Sequence, residues 1–211
     1  MQEMRQSYKR GRLNREMLAD DPFVQFDQWF EAVLAADDIL EPNAMTLATA
    51  DENGRPSARM VLLKGCDLRG FVFYTNYNSR KGQELAANPW AALTFWWGSL
   101  QRQVRVEGHV VRLSAEESDA YYNSRPVGSR LGAWVSHQSQ IIAERGVLEE
   151  RLKEYEAKFA AGDVPRPDYW GGFRVVPTAI EFWQGGMHRL HDRFRYTRQA
   201  DENWQIKRLS P

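Results

Sequence analysis

Cysteine is nearly absent: Cys66 is the one thiol in 211 residues. It has no partner for an internal disulfide, which fits a reducing compartment, and a cytoplasmic location is expected. No apolar run reaches the ~18 residues of a membrane-spanning helix, so no membrane span is expected. No apolar run follows Met1-Gln2-Glu3-Met4-Arg5 either, so no signal peptide is expected. Neither charge is in excess. Lys+Arg number 28 and Asp+Glu number 28, for a net charge of +0, which argues against a general nucleic-acid binder. The glycine fingerprints of dinucleotide and P-loop sites are missing, as is the G-x-S-x-G nucleophile elbow. His188 and His191 have a metal-ligand spacing, but no cysteine cluster or carboxylate pair completes a set, so no metal is expected.

What is present describes a globular chain. Hydrophobic residues make up 43%, enough for one sizeable core. The 8 tryptophans exceed what a core of this size needs, and a flat ligand or a subunit interface would use them. Residues 1–20 are polar and basic and read as a mobile N-terminal segment. Residues 21–211 show no repeat or linker and read as a single domain.

Within it, Asp21-Pro22 opens a helix whose buried face carries Phe23, Phe26, Phe30, Val33 and Leu34. Strands are expected over 44–50, 57–64 and 70–75, with a hairpin turn at Asp51-Glu52-Asn53-Gly54. A short helix starts at Ser79 and ends near Asn88-Pro89. A second hairpin, 90–97 with 101–113, turns at Gly98-Ser99. Ser114-Ala115-Glu116-Glu117 is a capping box for a helix that Pro126 and Gly128 break. A charged helix is expected over 141–161, packed through Leu148, Leu152, Tyr155 and Phe159. Four strands, 173–176, 179–183, 194–198 and 204–209, close the chain. Short turns between strands, with helices inserted, predict a mainly β fold with peripheral α-helices: an antiparallel barrel.

Several clusters carry chemistry. Phe182 to Phe194 packs aromatics, paired glycines, His188, His191, Arg189 and Arg193 into a dozen residues, as one wall of a site for a flat, anionic ligand would. Arg80 and Lys81 fall in the first turn of their helix, where the dipole disfavours cations. They read as half of a phosphate cradle or as a solvated pair. Arg59 and Lys64 differ by an odd count, so a regular strand points them to opposite faces, as in a central strand whose ends reach solvent. Tyr121, Arg125 and Ser129 surround a helix end, as a second phosphate site or as a C-terminus stabilised by Arg125.

In order along the chain stand Arg59-Met-Val-Leu-Leu-Lys64, Phe73-Tyr-Thr-Asn76 with Ser79-Arg-Lys81, Ser124-Arg-Pro126, Gly132-Ala-Trp-Val-Ser136 with Gln138-Ser139, Trp170-Gly-Gly-Phe-Arg174, Glu181-Phe-Trp-Gln-Gly185 and Arg189-Leu-His-Asp-Arg-Phe194. Together they resemble the pyridoxine (pyridoxamine) 5′-phosphate oxidase family of split-barrel flavoproteins, over nearly the whole chain. The resemblance implies an antiparallel split β-barrel and a homodimer with FMN at the subunit interface. It implies FMN contacts from Arg59, Met60, Val61, Leu62, Leu63, Lys64, Tyr74, Thr75, Arg80, Lys81, Gln103, Gln138, Ser139, Trp183 and Arg193. It implies substrate contacts from Lys64, Tyr121, Arg125, Ser129, Arg189, Leu190 and His191, with Arg5 and Tyr8 in a segment that closes over the substrate. Arg189 and His191 would be the catalytic pair. The implied reaction oxidises C4′ of pyridoxine or pyridoxamine 5′-phosphate, passing a hydride to flavin N5, with dioxygen reoxidising the flavin to give hydrogen peroxide. A split-barrel reductase and a non-enzymatic flavin-binding module are the competing readings. The reductase has no need for the complete set Tyr121, Arg125, Ser129, Arg189 and His191, and the zero net charge counts against a binding module for nucleic acid.

Overall fold

Asp21 starts the first helix by accepting a 2.7 Å hydrogen bond from the Phe23 amide, with Pro22 in the first turn. In this computed structural model, which describes residue 8 and residues 11–160 and 162–211, that helix is α1 (Pro22–Leu34). Its buried stripe is Phe23, Phe26, Trp29 and Val33. Leu34, expected on this face, is exposed at the last turn, and Trp29 takes the inward position instead.

Strands β1 (Ala44–Ala50), β2 (Pro56–Leu62), β3 (Gly65–Asp67) and β4 (Gly70–Asn76) follow. The β1–β2 turn is held by the Asp51 carboxylate, which accepts from the amides of Asn53 and Arg55 at 2.9 Å each. Helix α2 (Arg80–Ala87) leads to the hairpin of β5 (Trp90–Trp97) and β6 (Arg102–Arg112). Helices α3 (Ala115–Ser124), α4 (Val127–Val135) and α5 (Gly146–Lys158) form the periphery, and β7 (Trp170–Gln184), β8 (Asp192–Arg198) and β9 (Trp204–Leu209) end the chain.

The strands form one antiparallel nine-stranded sheet in the order β2-β1-β5-β6-β7-β4-β3, with β8 on β7 and β9 on β8. β7 organises it. One edge pairs with β6 throughout. The other is shared, by β4 along 170–175 and by β8 along 179–184. That division splits the barrel. Side chains alternating inward from these strands, among them Met45, Leu47, Phe71, Phe73, Leu93, Phe95, Val104, Val106, Ile180 and Phe182, form the core with Phe26 and Trp29 of α1. Burial of each contributes about 1.5–3 kcal/mol before entropy is counted.

Several expectations shift. The two strands expected around Pro177 are one strand. Proline is tolerated there because the ladder slips at that point, with a register shift at Glu107/Gly108 opposite Pro177, and a bulge needs no proline amide. Pro126 does end α3, but it also caps α4, a helix not expected from Gly128 and Gly132; Leu131, Ala133 and Val135 bury its inner face. α5 begins at Gly146 rather than 141, and Ile141 is fully exposed. Leu152 is likewise exposed, so the face of α5 that packs is Tyr155 and Phe159 against Trp134. The packed region starts before residue 21: Leu13 and Leu18 are buried in the core cluster. The Leu13 amide donates to Asp192 at 3.0 Å and the Tyr196 hydroxyl to the Ala19 carbonyl at 2.7 Å. Residues 1–7, with Arg5, lie outside the described residues.

Candidate active site

The Ser79 side chain caps α2 by accepting from the Gly82 amide. This sets Arg80 and Lys81 at the helix start, beside the C-terminal end of β4. Lys81 is buried and its ammonium donates to Thr75 Oγ1 at 3.2 Å, Ser79 Oγ at 3.3 Å and Gln138 Oε1 at 3.0 Å. The Arg80 amide donates to Ser139 Oγ at 3.2 Å. Ser139 holds a left-handed backbone, φ 71°. The loop after α4 is thereby tied to the start of α2.

Arg59 approaches from β2. Its guanidinium donates to Thr49 and Ser57 and pairs with Glu84 at 3.3 Å. Glu84 is buried, and it also accepts from Thr49, from Ser57 and from Arg80 Nε at 2.8 Å. Burial alone would raise its pKa. The hydrogen bonds from Thr49, Ser57 and Arg80 and the Arg59 charge outweigh that and hold it at about 2. For Lys81, burial and then the Arg59 charge push the pKa down to about 8.

Ser57, Arg59, Thr75, Arg80, Lys81, Gln138 and Ser139 line a cleft of about 820 Å³, with Glu84 behind its wall. Among the described residues five cations face it, namely Arg59, Lys64, Arg80, Lys81 and Arg125, and no carboxylate does. A chain of zero net charge has therefore concentrated positive potential in one concavity. Tyr74, Thr75, Tyr121, Ser129, Gln138 and Ser139, and the β2 residues Met60, Val61 and Leu62, complete the walls. Leu63 does not; it is 7% exposed and belongs to the core. Arg59 and Lys64 face the same cleft, against the alternation rule, because β2 ends at Leu62 and Lys64 lies beyond it. Nor is β2 central: it is the edge of the sheet.

At the α3–α4 junction, Tyr74 stacks on Tyr121 at 3.9 Å and on Trp170 at 5.6 Å. The Arg125 guanidinium lies 4.6 Å from the Trp170 ring centre. Its Nη1 is buried with no hydrogen-bond partner. A buried, unpaired guanidinium nitrogen in a cationic cleft calls for an anion.

The remaining site candidates form a second cluster outside that cleft. Gln103, Trp183 and Arg193 occupy one cross-strand row over β6, β7 and β8. Arg193 is fixed to Glu181 by contacts of 2.8 and 3.1 Å. The His191 ring lies 4.6 Å from that of Trp183, and Tyr8 meets both at 5.7 Å. Arg189 and Leu190 are exposed on the loop between β7 and β8. The site candidates thus fall into two separate clusters on the chain. Trp170 and Gly186 stand in motifs visible in the sequence but without a site role of their own; nothing local marks Glu84. Among the described residues there is no cluster of His, Cys, Asp or Glu able to hold a metal ion. None of their helices is long and apolar enough to cross a membrane.

A nine-stranded antiparallel split barrel with a cationic cleft at the start of α2 defines the class: a split-barrel protein with a site for an anionic ligand. Comparison with known proteins narrows it. Residues 32–159 match the pyridoxamine 5′-phosphate oxidase family model, and residues 170–211 match the pyridoxine 5′-phosphate oxidase C-terminal dimerisation region. The chain belongs to the pyridoxine/pyridoxamine 5′-phosphate oxidase family. It is 58% identical over 209 residues to the pyridoxine/pyridoxamine 5′-phosphate oxidase of Trichormus variabilis, covering 99% of this chain and 97% of that one. To the enzyme of that name from Paraburkholderia phytofirmans it is 59% identical over 211 residues, covering 99% and 98%. A crystal structure of PhzG from Burkholderia lata, in complex with tetrahydrophenazine-1-carboxylic acid, superposes with a TM-score of 0.86 at 33% identity, over 92% of this chain and 94% of that one.

Proposed function

We propose that this chain oxidises pyridoxine 5′-phosphate and pyridoxamine 5′-phosphate to pyridoxal 5′-phosphate, as a cytoplasmic homodimer with FMN held between subunits. The alcohol and dioxygen give the aldehyde and hydrogen peroxide; the amine also takes up water and releases ammonia. When bound, FMN supplies the two-electron acceptor that no side chain here provides. The observation that carries the reading is the cleft with five cations and no carboxylate, in a chain of this family.

Two phosphate-bearing ligands match two groups of donors. Arg59, Arg80 and Lys81, with Thr75, Gln138 and Ser139, hold the cofactor phosphate at the start of α2. Tyr74, Met60, Val61, Leu62 and Lys64 flank the ring system. Lys64, Tyr121, Arg125 and Ser129 hold the substrate phosphate, and the unpaired Arg125 Nη1 supports that role. The phosphate is remote from C4′, so these contacts orient the carbon that reacts. Arg189 lies against the pyridine ring, since a guanidinium stacks on aromatic faces, and His191 meets the C4′ region.

A two-fold axis explains why the candidates fall into two half-sites. Trp183, Arg189, Leu190, His191 and Arg193 all lie within the 170–211 segment that matches the dimerisation region. The half-site of one subunit, with Gln103 and Tyr8, then completes the cleft of its partner. Anaerobic addition of pyridoxine 5′-phosphate to the yellow holoenzyme tests the reading. Bleaching of the flavin band supports it; an unchanged spectrum with FMN bound rejects it.

A further inference from the structure

The loop from Gly185 to His191 turns back so that the Gly186 amide donates a 3.1 Å hydrogen bond to Nδ1 of His191. A main-chain N–H can only donate, so the ring nitrogen facing it carries no proton. In the neutral imidazole the single proton then sits on Nε2. The loop is built for this contact. Gly186 has no room for a side chain, because a Cβ there would stand 2.2 Å from the Leu190 carbonyl oxygen. His188 and Arg189 are both left-handed, with φ of 55° and 63°. That conformation costs a non-glycine residue free energy and clusters at functional sites. The ring is walled by Trp183 and Tyr8. The carboxylate next in sequence, Asp192, is engaged by the Leu13 amide and by Arg208. Burial, and then the Arg189 charge, lower the His191 pKa, which favours the neutral ring.

We propose that Gly186 is a positioning residue that locks His191 as the Nε2–H tautomer, so that His191 donates a hydrogen bond to an oxygen lone pair of the bound vitamer and does not act as the base for its C4′ substituent. A base needs a free lone pair on the nitrogen facing substrate. Here Nδ1 is committed to Gly186 and Nε2 is already protonated. The inference rests on the proposed placement of His191 in the substrate site.

Two measurements test it on the FMN-loaded dimer. The first is long-range nitrogen–proton NMR on protein labelled with ¹⁵N-histidine, with the His191 signals assigned by their loss in His191→Gln. Nδ1 should show the shift of an unprotonated nitrogen and Nε2 that of a protonated one, at neutral pH. The reverse tautomer, or rapid averaging of the two, overturns the lock. The second is kinetic. Glutamine keeps an N–H donor but is no base, so His191→Gln should hold kcat/KM within roughly tenfold of wild type while His191→Leu loses more. General-base catalysis is worth roughly 10²–10⁴-fold; an equal loss of that size in both variants overturns the donor role. Wild-type kcat/KM in His191→Leu would remove His191 from the substrate site, and the placement itself would fail.

Discussion

Replacing Lys81 by methionine should weaken cofactor binding while leaving apoprotein stability at neutral pH nearly unchanged. Lys81 is 8% exposed, and its pKa falls from 10.5 to about 8 through burial and the Arg59 charge, against a pull upward from Glu84. Below pH 8 the folded and unfolded chains both carry the proton, and the folded one bears the full penalty of a charge out of water. Between pH 8 and 10.5 the folded chain releases the proton while the unfolded chain keeps it, so stability rises with pH over that window. At about 1.4 kcal/mol per tenfold, the lowered value corresponds to about 3 kcal/mol. Methionine lifts that penalty and forfeits the hydrogen bonds to Thr75, Ser79 and Gln138, each worth about 0.5–1.5 kcal/mol net. The three bonds together offset about 1.5–4.5 kcal/mol, so the two effects nearly cancel at neutral pH and the apoprotein Tm should stay within about 6 °C of wild type for a chain of this size. On the proposed placement of FMN, the same change removes one charge-assisted bond to the cofactor phosphate, worth about 1.5–3 kcal/mol, so FMN should bind roughly 10- to 150-fold more weakly. Thermal melts of the two apoproteins at pH 7 and pH 10, with a fluorescence-quenching titration of FMN, read both effects. An apoprotein variant that melts more than about 6 °C from wild type at pH 7, or one that binds FMN as tightly as wild type does, would refute the reasoning.

The other expectations are simpler. Arg189→Met should cut kcat/KM strongly and leave FMN bound; unchanged turnover rules out the stacking role. Glu84→Gln should lower stability by about 3 kcal/mol at neutral pH, since it strands Arg59 beside a neutral amide, and should loosen FMN. The stabilising contribution of Glu84 is whole above pH 4.5 and fades as pH falls toward its folded value of about 2, so the gap between wild type and variant should narrow over that range in acid melts; a constant gap counts against it. The Cys66 thiol is pushed up by burial first, then by Asp27 and Asp67. It should therefore react slowly with a disulfide reagent at pH 8 in the native state and fast after denaturation, and equal rates would show that the site is open.

Much of the architecture was legible in the chain. Asp21-Pro22, Asp51 to Gly54 and Ser114 to Glu117 are local signals, and each forms the cap or turn its residue types require. The strand alternation predicts the inward faces for the same reason, since side-chain direction in a strand is fixed by the backbone. What failed locally was won by packing. α4 forms through burial of Leu131, Ala133 and Val135 despite two glycines, and β7 runs through Pro177 because β7 itself bulges there, with Thr178 as the extra residue.

The site divides in the same way. Residue types and their order in sequence determined the family, the cationic donors and the aromatic–histidine segment. Only the tertiary structure decided that Arg59 and Lys64 share a cleft, that Glu84 ties Arg59 to Arg80, and that Gly186 faces His191. Each of these depends on where a strand ends or a loop turns back, and on distances between groups far apart along the chain. Such distances are set by the packing of the whole barrel, and no local run of residues encodes them.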